Sequence, residues 1–481
     1  MEEKIRDLID YVLGKGADYV DIRYKDIESQ NIETEDEKLK ELQRDNSKGV
    51  GIRVIKNGSP GFAATGDLDR LQQTGVRALE LAGASSILRR DEIELAARES
   101  VEDYFETPYE KDPFSVSTEE KIELLLQAEA EMNKAADLHK SSASMRFQRI
   151  HKIYADSEGS YIEQELVESG GGIEANAVGE DDLQVRTYPC SFGGNHAKAG
   201  YEFIEDMELV ENAARTAEEA VKLTEAEECP QGEFDIVIDS TQMALQIHES
   251  IGHPIELDRV FGSEEAYAGT SFLKPEYLDE FQYGSEKVNV VADATVENGL
   301  GSFGYDDEGV PAQKVPIIEE GIFAGFLTSR ADAARLAQTS GGTCRADGWE
   351  NLPLIRMTNI NLLPGDYEFE ELISDIDYGL YLEANRSWSI DDRRLNFQFS
   401  CEIAYEIKDG ALTGKIFKNP IYTGHTPEFW RSCAGICNED YWQLVGVPNC
   451  GKGQPGQTAR VGHGSSPAKF RSVKVGVKND E

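Results

Sequence analysis

Residues 234–254 read FDIVIDSTQMALQIHESIGHP and join a strand pattern to a helix pattern that ends in two closely spaced histidines. Phe234, Ile236 and Ile238 recur at every second position, as the residues on one face of a strand do. Asp239 stands where its side chain can cap a following helix. The stretch therefore predicts a strand followed by a helix, and that helix carries His248.

Upstream of this stretch lies the predicted domain boundary. The chain has 481 residues, which is more than one ordinary hydrophobic core accommodates. The acidic segment 224–232, TEAEECPQG, is closed by proline and glycine and separates two patterned regions. We predict an N-terminal α+β domain, residues 1–228, and a β-rich C-terminal catalytic domain, residues 229–481.

The fold class predicted for the whole chain is α+β. An antiparallel sheet with flanking helices forms the N-terminal domain, in which Val20, Ile22 and Tyr24 face inward and Asp21 and Arg23 face outward.

Three further segments carry specific expectations. Residues 102–114 read as irregular, and glycines 170–172 read as a break between strands. Residues 445–467, rich in glycine and proline, should form loops and short strands that wrap over the C-terminal domain.

Composition restricts the partners. A formal charge of -42 repels phosphate backbones and anionic membrane surfaces, so we expect neither nucleic acid nor membrane as a partner. Seven cysteines, an odd number spread over a long chain, indicate free thiols in a reducing compartment. With no apolar run of signal-peptide or membrane type, the predicted location is cytoplasmic.

The pair His248-Glu249 is followed by His253, one residue later than in the His-Glu-x-x-His pattern of many zinc peptidases. Residues five apart on a regular α-helix differ by about 140° and cannot share one metal ion. Gly252 leaves helical dihedrals easily, and Pro254 pushes the preceding residue toward extended backbone. The helix should therefore end or bulge between the histidines, with Glu249 beside the metal.

Two histidines leave a catalytic zinc site incomplete, since such sites take three protein ligands. His248 also lies on an apolar helical face, where a hydrogen-bonded core histidine is the alternative. Spacing alone does not choose the third donor, and the candidates are Glu256, Asp258, Glu264, Glu265, His425, His463 and the free thiols.

Among the thiols, Cys450 stands out because it lies in a glycine-rich segment that lets backbone approach closely. Lys452, two residues later, could keep this thiol ionised. Cys433 and Cys437 are three residues apart but have no matching second pair, so buried structural residues are the favoured interpretation for them.

These residues resemble the TldD/PmbA family of peptidases. The segment 248–253, HESIGH, looks like its His-Glu-x-x-x-His signature. Segments similar to other family landmarks occur in the same order along nearly the whole chain, at 49–54, 301–309, 356–359 and 450–452. At 385–392 the chain departs from the glycine-rich stretch that many members carry.

The resemblance implies that His248, His253 and Cys450 bind Zn2+ and that Glu249 is the general base of an active, TldD-like subunit. It also implies a dimer, either of identical chains or with a sister subunit. Residues on the landmark turns are expected to line the substrate path, namely Gly301, Tyr305, Asp306, Arg356 and Asn359.

The predicted function is hydrolysis of peptide bonds in unfolded peptides or flexible protein segments, by a metallopeptidase that uses zinc. Two alternatives remain open at this point. The first is a non-catalytic binding or regulatory subunit, consistent with the family's association with DNA gyrase modulation. The second is a zinc amidohydrolase that acts on a small amide.

Overall fold

The computed structural model describes residues 1–87, 92–180, 182–453 and 456–476. The helices and strands of the first half are α1 (Glu2–Gly14), β1 (Tyr19–Glu35), β2 (Lys38–Lys56), β3 (Ser59–Thr65), α2 (Leu71–Ser86), β4 (Glu102–Glu106), α3 (Thr118–Ala135), β5 (Lys140–Asp156), β6 (Tyr161–Val178), β7 (Leu183–Tyr188), β8 (Asn195–Ala197), α4 (Glu202–Glu205) and α5 (Leu209–Glu225).

These strands form one sheet in the order β3-β2-β1-β5-β6-β4, in which β7 and β8 also pair with β6. All pairs are antiparallel except β4 with β6. Helices α1 and α2 pack on β1 and β2, whereas α3 and α5 pack on β5 and β6. The predicted antiparallel sheet with flanking helices is confirmed.

The outward face of β1 differs from the expectation. Asp21 and Arg23 are as buried as Val20 and Ile22, because the face of the sheet away from the helices packs against the second half of the chain. A strand covered on both sides needs partners for its polar residues, and Asp21 accepts a hydrogen bond of 2.6 Å from the side chain of Arg53.

Two further expectations for this half are wrong, the first of them in part. Residues 102–106 are a regular edge strand that pairs in parallel with β6, although the sequence there is acidic, whereas residues 107–114 form no helix or strand, as expected. Glycines 170–172 do not break β6. A Cβ on Gly172 would lie 2.4 Å from the Cα of Gly194, and one on Gly170 would enter the ring of His196, so these glycines permit the close approach of a neighbouring segment.

The elements of the second half are β9 (Glu227–Glu228), β10 (Gly232–Ile238), α6 (Ser240–Ile247), α7 (Leu257–Val260), β11 (Val290–Asp293), β12 (Lys314–Glu319), β13 (Ile322–Phe323), α8 (Arg330–Arg335), β14 (Cys344–Arg345), β15 (Leu354–Ile355), β16 (Ile360–Leu362), α9 (Phe369–Ile373), β17 (Tyr378–Ile390), β18 (Asn396–Lys408), β19 (Ala411–Lys418), β20 (Ile421–His425), α10 (Thr426–Arg431), β21 (Cys433–Ile436), β22 (Gln443–Lys452), β23 (Gln457–Ser465) and β24 (Ala468–Val475).

The main sheet of this half has the order β17-β10-β24-β20-β18-β19-β9, and β17 also pairs with β18, while β21 pairs with β24. The last described strand, β24, therefore lies between β10 and β20 inside the sheet. A large apolar core fills the space between this sheet, α6 and the smaller sheet of β13, β12, β11 and β16. The β-rich second half and the α+β class agree with the prediction, whereas the division at residues 228 and 229 stays a prediction.

The segment 443–465 is more regular than expected. Instead of loops and short strands, β22 and β23 form a long antiparallel hairpin whose register shifts between Val447 and Cys450. No helix in the described ranges is both long and apolar enough to cross a membrane.

The landmark segment 301–309 joins the two halves of the chain. The side chain of Gln164 on β6 accepts hydrogen bonds from the backbone of Gly304 and Tyr305, each 3.1 Å long. Asp307 accepts from Lys25 at 3.0 Å and from Lys152 at 3.2 Å, and all three side chains are buried. The two lysines hold the pKa of Asp307 well below its ordinary value, although burial acts to raise it.

Candidate metal centre

Helix α6 changes its winding at the two histidines. Asp239 caps its start by accepting hydrogen bonds from the backbone of Thr241 and Gln242, as predicted. From His248 to Gly252 the chain forms a π-helical turn, closed by a hydrogen bond of 3.1 Å from the His253 nitrogen to the His248 carbonyl. A turn bonded between residues five apart brings both histidines to one side of the helix, which is the predicted bulge.

Ser250 fixes this turn from within. Its hydroxyl accepts hydrogen bonds of 2.9 Å from Gln246 and from the indole of Trp430, and it also donates to the Gln246 carbonyl. The hydroxyl of Tyr283 donates to the Ser250 carbonyl. All four residues are buried, so the π-turn is held by a satisfied polar network.

The hairpin of β22 and β23 brings Cys450 to the same place. One potential ligand atom from each of His248, His253 and Cys450 lies within 4.8 Å of the others, and all three residues are buried. The two imidazole rings are 4.9 Å apart and nearly perpendicular. The structure thus assembles the three residues that the sequence singled out, from segments about 200 positions apart.

Each imidazole is held through its Nδ1 atom. Nδ1 of His253 donates to the carboxylate of Glu256 at 3.0 Å, and Nδ1 of His248 lies 2.8 Å from Nε2 of a third histidine, His463. Both Nε2 atoms are therefore left for a ligand. Burial lowers the pKa of both rings, so the neutral form that binds metals is favoured.

Glu256 belongs to a buried charge cluster behind His253. Its carboxylate also accepts from Arg259 at 3.2 Å and lies 3.3 Å from the ammonium of Lys452. Burial acts to raise the pKa of Glu256, but Lys452 and His253 hold it well below its ordinary value. A permanent carboxylate fixes the orientation of His253.

The pKa of the Cys450 thiol is lowered, but Lys452, the residue expected to lower it, is not the cause. Lys452 turns away to bind Asp258 and the Ile355 carbonyl, both at 2.7 Å. Burial acts to raise the pKa of Cys450, whereas Arg356 and His253 lower it below its ordinary value. Arg356 donates to the carbonyl oxygen of Cys450 itself.

Glu249 faces the same space and forms an ion pair with Arg394, a residue that the sequence did not indicate. The guanidinium of Arg394 donates to its carboxylate at 2.6 Å. Arg394 comes from the loop between β17 and β18, which Asp391 organises by accepting hydrogen bonds from three backbone nitrogens. The Nε atom of Arg394 is buried without a hydrogen-bond partner in the described structure.

A cavity of about 310 Å³ opens in front of these groups. Its wall contains the three candidate ligands, Glu249 and Arg394. The remaining lining residues are largely apolar or belong to the hairpin, and they are Phe192, Leu245, Trp388, Val447, Asn449 and Gly451.

The five residues expected along the substrate path lie outside this wall. Asn359 accepts from the Gly301 nitrogen at 2.9 Å and donates to the Asp293 carbonyl at 2.7 Å. Asp306 accepts from two backbone nitrogens of its own turn and from that of Cys344, and Tyr305 donates to Asp103. These hydrogen bonds hold the turns that contain Gly301, Tyr305, Asp306 and Asn359. Arg356 instead lowers the pKa of the Cys450 thiol. A substrate-binding role for the five stays a prediction.

The other candidate donors are placed elsewhere. His425 lies at the end of β20, about 4.0 Å from Glu428, and Asp258 binds Lys452. Glu264 accepts from the backbone of Gly453. All seven cysteines are free.

Three models of one protein family match the chain in order. They are described as PmbA/TldA metallopeptidase domain 1, the central domain and the C-terminal domain, and they match residues 20–102, 111–226 and 231–476. The chain belongs to the PmbA/TldA metallopeptidase family. The resemblance drawn from residues 248–253 and the later landmarks is thereby confirmed.

Two relatives span almost the whole chain. A protein named metalloprotease from Methanothermobacter thermautotrophicus is 31% identical over 96% of each chain. A protein named zinc metalloprotease TldD homolog, from Saccharolobus solfataricus, is 26% identical over 96% of this chain and 97% of its own. A metalloprotease of the PmbA/TldA type is the function that these names indicate.

Solved structures share the fold. A candidate DNA gyrase modulator from Thermotoga maritima has a TM-score of 0.79 at 20% identity, covering 99% of this chain and all of its own. TldE from Thermococcus kodakarensis has a TM-score of 0.72 at 16% identity, covering 98% of this chain and all of its own. At these identities the comparison establishes the architecture alone.

Proposed function

We propose that this member of the PmbA/TldA family is a zinc-dependent peptidase in which His248, His253 and Cys450 bind the metal and Glu249 is the general base. The observation that carries the proposal is the convergence of these four side chains on one cavity, with the three donor atoms within 4.8 Å of one another.

The donor set fits zinc. Two imidazoles and one thiolate are the nitrogen and sulfur ligands that Zn2+ prefers, and three protein ligands leave a position for water or substrate. Zinc sites need an ionised thiol and imidazoles of fixed orientation. The lowered pKa of Cys450 favours the thiolate, and the Nδ1 hydrogen bonds of both histidines fix their rings.

When bound, zinc would supply Lewis acidity toward a water molecule and the scissile carbonyl. Glu249 follows His248 in the π-turn and reaches the same cavity, where its carboxylate accepts the proton of the attacking water and delivers it to the leaving amine. No covalent intermediate with the protein is required.

Arg394 supplies the second positive group of the mechanism. Its guanidinium lines the cavity and orients Glu249. A cation fixed beside the site of attack stabilises the negative charge that develops on the carbonyl oxygen. Arg394 is thus the oxyanion donor of the proposed reaction.

The proposed substrates are unfolded peptides and flexible segments. On β17, strand β10 pairs with residues 379–382 only, so residues 387–390 have a free edge on that side within the described structure. Trp388 of this segment lines the cavity and is half exposed. An extended chain can add to such an edge through main-chain hydrogen bonds, with little demand on its side chains.

The proposed setting is a dimer in the cytoplasm, either of identical chains or with a sister subunit of the TldE type. The likeness to TldE in fold supports the second arrangement, since sister chains with one architecture suit a two-fold related pair.

The proposal is tested by measuring bound zinc and cleavage of an unstructured peptide for wild type, Glu249→Gln and Cys450→Ala. Glu249→Gln should retain zinc and lose at least about 100-fold in kcat, because the proton acceptor is gone while the ligands remain. Cys450→Ala should lose both zinc and activity.

Glu265→Gln is the matched control, since Glu265 is exposed and outside the cavity wall. Wild-type rates in Glu249→Gln would remove Glu249 from the mechanism. Zinc binding with turnover of small amides and not of peptides would favour an amidohydrolase, and zinc binding without any turnover would favour a binding subunit.

A further inference from the structure

His463 is a buried histidine that touches a candidate ligand without joining the ligand cluster. It lies on β23, with no solvent exposure. Its Nε2 is 2.8 Å from Nδ1 of His248, and its Nδ1 is 3.2 Å from the carbonyl oxygen of Ile360. The rings of His463 and His248 are nearly perpendicular, with centroids 4.9 Å apart. The three groups form a chain from carbonyl to ring to ring.

The direction of these hydrogen bonds follows from the carbonyl, which can only accept. Nδ1 of His463 must therefore carry a proton. A cationic ring would need a nearby carboxylate at this depth, and none pairs with His463 in the described part of the chain. The ring is neutral, its Nε2 is an acceptor, and Nδ1 of His248 is the donor.

We infer that His463 is a positioning residue that fixes the tautomer and the ring orientation of His248, leaving Nε2 of His248 unprotonated toward the metal. This inference rests on the proposed function for its metal, and it assigns to His463 a task that the sequence left open. Without the acceptor, His248 could carry its proton on Nε2, where the proton would block the ligand position.

The two histidine ligands are thereby supported differently. Glu256 behind His253 is a carboxylate, which makes that ring a more basic ligand, whereas His463 behind His248 adds no charge. Because His463 is neutral, a metal bound by His248 would keep more of its positive charge, and this would favour ionisation of a bound water.

The test compares zinc affinity, by competition with a chelator, in wild type, His463→Leu and His463→Gln. His463→Leu should bind zinc about 10- to 100-fold more weakly, and His463→Gln, whose amide can accept from His248 and donate to Ile360, should stay within about threefold of wild type. His151→Leu, on the N-terminal sheet, is the control and should bind zinc as wild type does. Equal weakening in Leu and Gln would assign the loss to packing and overturn the inference.

A second measurement does not depend on a variant that folds. In metal-free wild type with 15N-labelled histidine, the spectrum should show His248 protonated at Nδ1 and bare at Nε2. A His248 protonated at Nε2 would overturn the inference, as would wild-type zinc affinity in folded His463→Leu. Neither readout involves peptide cleavage, so failure of the proposed peptidase activity would be seen separately, in the Glu249→Gln comparison.

Discussion

Arg394 is the single side chain whose position adds most to the proposed chemistry. It is nearly buried, it holds Glu249 at 2.6 Å, and burial lowers the pKa of its guanidinium from the ordinary value while Glu249 opposes that change. A desolvated cation of this kind acts more strongly on a developing charge than one in water.

Replacing Arg394 by methionine should lower kcat/KM by about 100- to 1,000-fold and leave the zinc content unchanged, because an oxyanion donor is lost while the ligands stay. Steady-state kinetics on an unstructured peptide, with metal analysis, check this. Arg393→Met changes the neighbouring, exposed arginine and should behave as wild type. A fall in zinc content in Arg394→Met would mean that the residue supports the metal site instead.

At this scale the sequence predicted the cluster of His248, His253 and Cys450, because residue type, local spacing and family resemblance pointed to it. It could not predict Arg394 or the role of His463. Each of these residues contacts a site residue more than 140 positions away in the sequence. A local sequence pattern contains no information about such long-range contacts.

The π-turn is the element on which the site depends. Ser250→Ala should lower the free energy of unfolding by about 1–3 kcal/mol, because the indole of Trp430 and the amide of Gln246 lose a buried partner. It should also weaken zinc binding, since His253 would lose the winding that turns it toward His248. Urea unfolding and chelator competition measure the two effects.

Ser432→Ala is the comparison for this prediction, because among the described residues the Ser432 hydroxyl has one hydrogen bond, which it donates to the Phe429 carbonyl at the same helix end. It should change the free energy of unfolding by less than about 0.5 kcal/mol. Full stability in Ser250→Ala would mean that backbone packing alone holds the turn.

The sequence predicted helices and strands well where local features define them, such as alternating apolar residues or a helix cap. It predicted them poorly where contacts with distant segments determine the structure. The capping of α6 by Asp239, whose carboxylate accepts from the Thr241 and Gln242 nitrogens, is local and was predicted. Glycines 170–172 looked like a turn, yet they serve a close approach of residues 194–196, which lie over 20 positions away. A glycine signal does not distinguish these two causes.

For the whole molecule, the contact between the two halves depends on Asp307 and its two lysines. Asp307→Asn should lower the free energy of unfolding by about 3–5 kcal/mol at neutral pH, because Lys25 and Lys152 would remain buried without their carboxylate. The urea midpoint of the wild type and the variant checks this. Asp10→Asn, at an exposed position on α1, should have little effect.

The same comparison has a defined pH dependence. The pKa of Asp307 is held well below the value of about 4 that it has in the unfolded chain, so its contribution is complete above that value and is lost as the pH falls below it. The gap in midpoint between wild type and Asp307→Asn should be constant from pH 7 to pH 5 and should narrow below about pH 4. A gap that widens toward acid would contradict this assignment.

The order of strands in the second sheet determines how the chain can be made. Strand β24 lies between β10 and β20, which are otherwise joined only through β17 and β18 in the described structure, so the facing edges of β10 and β20 stay unpaired until residues 468–475 have left the ribosome. The first sheet, in contrast, needs nothing beyond residue 197. During synthesis the nascent second half must wait, with apolar strand edges unpaired, beside a first half that is already folded. This interval is where the polypeptide would most need a chaperone.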